Sequence, residues 1–187
     1  MRPSAGAGHR APRFGRVATG GTFDHIHAGH RRLLERSFEV GEEVVIGLTS
    51  DEFVARMGKK TERGYAEREA ELRRFIEGSF PGRRYTVAKL FDYFGPGIVD
   101  PSVEALVASP ETSQRLALAN GLRAEKGFPP LELVTIGWVA AEDGRPISST
   151  RIRRGEVDRE GRLVRKRPGH RPPSPAGSRG SAGNPAE

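Results

Sequence analysis

Along the chain, short runs of consecutive apolar residues alternate with segments whose apolar positions recur every three or four residues. The first run, RVATG at 16–20, predicts a short strand. A helical pattern follows from Ala28: Leu34 and Phe38 repeat at i, i+4 beside Leu33, and Gly41 stands where a C-terminal cap belongs. EVVIGLTS, residues 43–50, reads as a buried strand. YAEREAELRRFIEG, residues 65–78, reads as a helix with Leu72, Phe75 and Ile76 inward, a Glu69–Arg73 pair one turn apart and Gly78 as its stop. Three more strands are predicted at 84–90, 103–109 and 131–139. The last two are separated by a helix over 111–127 with Leu118 and Leu122 on one side.

Strands that are apolar throughout, alternating with helices, predict an α/β domain built on a doubly wound, five-stranded parallel sheet of Rossmann-like type, covered on both faces. Ligands of such sheets sit beyond the carboxyl ends of the strands, where the strand order reverses. The sequence predicts one domain over 15–160. A loose arm, 1–14, precedes it, and a tail over 161–187, rich in Arg, Gly, Pro and Ser, follows. Both termini have the composition of disordered chain, which buries too little apolar surface to offset the entropy of ordering.

The formal net charge of +7 would by itself suggest a nucleic-acid partner. Its placement argues otherwise. Residues 1–16 carry four Arg and no acid, and 151–187 carry ten basic and four acidic groups. The intervening 17–150 hold 17 basic and 20 acidic residues, a net −3. The body is mildly acidic and the ends are basic, without interleaved aromatics that would stack bases, so no specific nucleic-acid partner is expected. There is no cysteine, which excludes a disulfide framework, a thiolate zinc site and a Cys nucleophile, and fits a cytoplasmic location. No apolar stretch is long enough for a membrane span, and the first residues lack the apolar centre of a signal peptide.

Two motifs carry candidate chemistry. GGTFDHIHAGH, residues 20–30, falls in the turn between the first strand and the first helix, the place where doubly wound sheets hold phosphates. Gly20 and Gly21 allow a sharp turn and a close approach of backbone to ligand. His27 and His30, three apart as the helix opens, can face one volume that free N–H groups and the helix dipole already make favourable to an anion. Asp24 also reads as a turn cap. The pair of His is too small a set for a structural zinc. The second motif, ISSTRIR at 147–153, follows the fifth strand; Ser148 reads as the N-cap of a short final helix, and Arg151 and Arg153 stand ready for phosphate oxygens.

Together these residues resemble the two signatures of the cytidylyltransferase-like nucleotidyltransferases, HxGH at His27–His30 and ISSTxIR at 147–153. Over 17–158 the chain further resembles the archaeal and eukaryotic type of phosphopantetheine adenylyltransferase; His25 stands where the bacterial type has Pro. The resemblance implies transfer of AMP from ATP to 4′-phosphopantetheine, giving dephospho-coenzyme A and pyrophosphate, with magnesium arriving on the ATP and no resident metal site. It implies ATP contacts at Gly20, Gly21, Thr22, Phe23, His27, His30, Glu111, Ser148, Ser149, Thr150 and Arg151. It implies acceptor contacts at Thr22, Asp92, Tyr93 and Gly95, and catalytic charge from His30, Lys59 or Lys60, and Arg151. Other acceptors of the superfamily, nicotinamide mononucleotide, FMN or an alcohol phosphate, remain alternatives, as, more distantly, does a nucleic-acid-binding protein using its basic ends.

Overall fold

A computed structural model describes residues 11–164. In chain order its elements are β1 (Phe14–Gly21), α1 (Ala28–Val40), β2 (Gly41–Thr49), α2 (Asp51–Arg56), α3 (Tyr65–Ser79), β3 (Arg84–Leu90), α4 (Gly95–Val99), β4 (Ala105–Ala108), α5 (Pro110–Ser113), α6 (Leu116–Glu125), β5 (Glu132–Thr135) and α7 (Ser149–Arg153). The five strands form one parallel sheet in the order β3-β2-β1-β4-β5. The order reverses at β1, so a crevice opens between the carboxyl ends of β1 and β4.

Alternate side chains of a strand face opposite sides of the sheet, and here both sides are apolar. Val44, Ile46 and Leu48 of β2 join Leu33, Leu34 and Phe38 of α1 and Leu72 and Ile76 of α3 in one cluster. Val45 joins Ala18, Val103 and Leu131, with Leu116 of α6 against them, on the other face. The doubly wound architecture is therefore as the sequence predicts.

Several boundaries differ for identifiable reasons. Regular structure reaches past 15–160 at both ends: Phe14 opens β1 buried in the core, and residues 161–164 fold back, with Val157 bridging to Leu163 and Val164 N–H donating to the Glu156 carbonyl. The rest of both expected tails lies outside the described residues. β4 is short because Pro110, which lacks an N–H, starts α5 two residues after it. Ile136 makes the last bond from β5's segment to that strand, to the Ala108 carbonyl at 3.0 Å; the chain then leaves the sheet, and Val139 pairs instead with Ile147, whose N–H donates to its carbonyl at 3.1 Å.

The helix predicted over 111–127 is two helices. The Ser113 hydroxyl bonds the Pro110 carbonyl at 2.8 Å, a local bond that competes with helix continuation. α6 also buries Ala119 and Arg123, and Leu118 is left 58 % exposed. Arg123 decides that rotation. Its guanidinium is fully buried and donates to the carbonyls of Pro129 (2.7 Å), Gly97 (2.7 Å), Asp100 (3.0 Å) and Val103 (3.0 Å). It thereby ties α4, the approach to β4 and the approach to β5 to one helix. α2 and α4 were not legible in the apolar pattern.

Replacing Arg123 by Met keeps apolar bulk but strands these carbonyls. Removing one partner from a buried charged network typically costs about 3–5 kcal/mol. Urea unfolding of Arg123→Met should show a loss of that order; a loss under about 1 kcal/mol would contradict the role given to this side chain.

Candidate active site at the switch point

The site begins with two arrangements that fix the end of β1. Gly20 lies opposite Gly47 of β2, and a Cβ on Gly20 would meet the Gly47 carbonyl oxygen at 3.0 Å. Buried Arg68 of α3 donates to the carbonyls of Thr22 (2.7 Å) and Thr49 (2.8 Å) and to Asp51 (2.8 Å), holding the ends of β1 and β2 together. Phe23 then reverses the chain at φ +48°, a conformation unusual for a non-glycine residue, which its complete burial sustains.

Beyond this turn α1 starts, and its cap is His27. The ring Nδ1 accepts from the Gly29 N–H at 3.1 Å, and a Cβ at residue 29 would lie 3.0 Å from the ring, which explains the glycine of the motif. His30 stacks on His27 with ring centroids 3.9 Å apart, and the Phe23 ring lies 4.7 Å from the His30 ring. The Nδ1 of His30 donates to the His25 carbonyl at 3.1 Å, leaving Nε2 as its free nitrogen. Burial, then the neighbouring His30, Arg31 and His25, push His27 down to about 2. Burial pushes His30 down to about 4 against the raising effect of the His25 carbonyl. Both rings are neutral at pH 7.

The second motif meets the first at His25. The Ser149 hydroxyl lies 3.4 Å from both the N–H and the carbonyl oxygen of His25, donating to the latter. Ser148 caps α7 by accepting from the Arg151 N–H at 3.3 Å, as its position predicts.

One cleft of about 700 Å³ collects Gly20, Gly21, Thr22, His27, His30, Lys59, Lys60, Asp92, Tyr93, Ser148, Ser149 and Thr150 along its walls. Three expected residues, Phe23, Gly95 and Arg151, stand apart. Phe23 is buried beneath His30 and does not line the cleft. Gly95 borders a shallower depression with Lys89 and Lys126, and is a backbone requirement: it sits at φ +37°, where a Cβ would clash with Leu90. The side chain of Glu111 lies outside the described residues.

Arg151 does not line the cleft. Its guanidinium donates to Asp143 (2.6 Å), Glu156 (3.1 Å) and the carbonyls of Pro146 (3.0 Å) and Arg145 (3.3 Å), all within the protein. Burial works against the charge on Asp143, but the bonds from Arg145 and Arg151 hold its carboxyl down to about 2. Arg151 therefore braces the loop before α7. The cleft instead receives Arg153, which also bonds Asp24 at 2.8 Å.

Arg115 and Trp138 also line the cleft. Arg115 lies 4.0 Å over the Tyr93 ring, and Trp138 is 64 % exposed. The chain's single Trp, near the end of the apolar run predicted as the last strand, was the one available sign of the latter. Among the described residues, no group of three or more His, Cys, Asp or Glu is arranged to hold a metal, and no helix is long and apolar enough to cross a membrane.

A parallel sheet with a glycine-floored, imidazole- and hydroxyl-lined cleft at its reversal point defines the architecture of a nucleotide-binding transferase domain. The chain belongs to the cytidylyltransferase-like family, whose model matches residues 18–155. It is 46 % identical over 146 residues to a phosphopantetheine adenylyltransferase of Methanopyrus kandleri, covering 78 % of this chain and 92 % of that one. Identity to the phosphopantetheine adenylyltransferase of Methanothermobacter thermautotrophicus is 45 %, over 80 % of this chain and 90 % of the other. Among solved structures, a protein of unknown function from Archaeoglobus fulgidus superposes with a TM-score of 0.58 at 30 % identity, covering 65 % of this chain and 88 % of that one.

The neutral histidines set a pH dependence. Free imidazole titrates near 6.5, so between that value and about 4 the unfolded chain binds protons that folded His30 refuses, and His27 extends the window lower. Stability is therefore full above pH 6.5 and falls as the pH drops, by up to about 1.4 kcal/mol per unit for each ring. Urea unfolding between pH 7 and pH 5 should show this slope, and His30→Asn should roughly halve it; an unchanged slope in the variant would contradict the assignment.

Proposed function

We infer that this chain transfers AMP from the magnesium complex of ATP to 4′-phosphopantetheine, giving dephospho-coenzyme A and pyrophosphate, in the cytoplasm that supplies its ATP. The observation that carries this reading is the shared contact of His30 and Ser149 with the His25 carbonyl, which makes the two motifs walls of one cleft. The identity to archaeal phosphopantetheine adenylyltransferases over nearly their whole length supports the choice of acceptor.

The reaction is an in-line displacement. An oxygen of the acceptor phosphate forms a bond to the α-phosphorus, the bond from that phosphorus to the β-bridging oxygen breaks, and pyrophosphate leaves with the electron pair. No side chain becomes covalently attached. The protein's contribution is to bring two anions together and to place donors where charge develops. His27, His30 and Thr22 meet the phosphates from the β1–α1 turn, and Ser148, Ser149 and Thr150 from the start of α7. Lys59 and Lys60 make no ion pair among the described residues, so their charge is available to the transferring or the acceptor phosphate. Asp92 and Tyr93, on the β3 side, are placed for the pantetheine arm. A triphosphate near His30 opposes the effect of burial and favours its protonated form. The magnesium on ATP neutralises phosphate charge.

His30→Ala should lower kcat by about 10²–10³-fold, the usual consequence of losing a charge-stabilising donor, with the circular dichroism spectrum unchanged. Turnover near that of the unaltered enzyme would remove His30 from the mechanism. Pyrophosphate release should require phosphopantetheine among a panel that includes nicotinamide mononucleotide, FMN and glycerol phosphate; release with one of the others instead would overturn the acceptor.

A further inference from the structure

Asp24 is completely buried, and three donors from distant parts of the chain converge on its carboxylate. Its Oδ1 accepts from the backbone N–H groups of Glu62 (3.1 Å) and Arg63 (3.2 Å), and its Oδ2 accepts from Arg153 of α7 (2.8 Å). Its own carbonyl accepts from the Arg63 guanidinium at 3.0 Å, and Arg63 is tied in turn to Glu71 of α3. A residue that only capped its own turn would bond N–H groups two or three positions away. This one instead reaches across 38 and 129 residues.

The far end of the α2–α3 connection is fixed separately. Gly58 turns at φ +66°, and the Lys59 N–H donates to the Val54 carbonyl at 3.1 Å, closing α2. The backbone is thus held at Lys59 by α2 and at residues 62–63 by Asp24, and only Lys60 and Thr61 lie between the two attachments. Both lysine side chains line the cleft. Long lysine side chains carry much rotamer freedom, so the position of their backbone decides how often the ammonium groups are at the phosphates.

We propose that Asp24 is a positioning residue, which sets the Lys59–Lys60 stretch against the histidine and hydroxyl walls of the cleft through its bonds to Glu62, Arg63 and Arg153. This rests on the functional reading above. Asparagine is the informative replacement because it matches the shape of Asp but turns one acceptor oxygen into an NH2 group. Three donors then converge on a side chain with a single acceptor, the ion pair to Arg153 is gone, and one N–H faces another.

The test is a kinetic cycle with ATP, magnesium and phosphopantetheine on the full chain. Asp24→Asn is expected to lower kcat by about 10–100-fold, the scale of a displacement of about 1 Å at a reacting centre, with KM for ATP within about threefold because the two phosphate-binding walls remain. The paired substitution Lys59→Met with Lys60→Met is expected to lower kcat by a comparable or larger factor. Adding Asp24→Asn to that lysine variant should cost less than about threefold more, since no lysine is left to position. A variant with Gly-Gly inserted between Thr61 and Glu62 leaves every Asp24 bond available while releasing the lysines, so it keeps the test decisive if Asp24→Asn does not fold. It should match Asp24→Asn in kcat at an unchanged melting temperature.

Multiplicative effects of the Asp24 and lysine changes, a wild-type kcat in the insertion variant, or a raised KM for ATP at constant kcat would each overturn the positioning role. An unaltered enzyme that transfers nothing to phosphopantetheine would overturn the functional reading itself, and this inference with it.

Discussion

The carbonyl oxygen of His25 accepts from His30 on one side and from the Ser149 hydroxyl on the other. A single backbone acceptor thereby joins two motifs that lie at opposite ends of the domain sequence. Everything proposed for the site depends on that junction. It exists because β1 is the central strand of the sheet, so its carboxyl end faces both the β2 side, which carries the lysine loop, and the β4 side, from which the chain returns to α7. The left-handed turn at Phe23 then directs Asp24 inward and leaves the His25 carbonyl facing α7 and His30.

The chain's many arginines look different once they are placed. Arg68, Arg123 and Arg151 are buried, and their guanidinium groups are occupied by carbonyl oxygens and carboxylates that hold strand ends and loops in register. A guanidinium suits this use because it carries five donors in a rigid plane and stays charged even when burial, as at Arg123, favours its neutral form. Charge available to an anion is correspondingly restricted: in the cleft it comes from Lys59, Lys60 and Arg115, with Arg153 shared between the cleft and Asp24.

This explains which parts of the protein were legible in its sequence. The sheet, its parallel sense and the helices α1 and α3 follow from uninterrupted apolar strands and from helical spacing, both local signals. The positions of His27, His30, Ser148 and Ser149 followed equally well, because each lies at a strand-to-helix turn whose chemistry depends on near neighbours. The surroundings of Arg151 were not legible because an arginine beside a hydroxyl cluster has two possible destinations. The deciding partners, Asp143 and Glu156, are acids of neighbouring turns whose approach depends on how the chain folds back after β5. The same limit applies to α6: Leu118 and Leu122 have the more apolar side chains, yet four carbonyl groups from other segments rotate Arg123 inward. Asp24 likewise reads locally as a cap, and its long-range role appears only when residues 62–63 and 153 come to it.

The central claim is that both walls of the cleft hold one triphosphate. Titration calorimetry with ATP on the unaltered chain, His30→Ala, Ser149→Ala and the double variant tests it most directly. Independent sites give additive losses of binding free energy, whereas groups acting on one ligand in contact deviate from additivity by about 0.5 kcal/mol or more. The account requires one ATP per chain, weaker binding in each single variant and a non-additive double variant. Two ATP molecules per chain, or losses that add within error, would place the histidine and hydroxyl walls on separate ligands and contradict it.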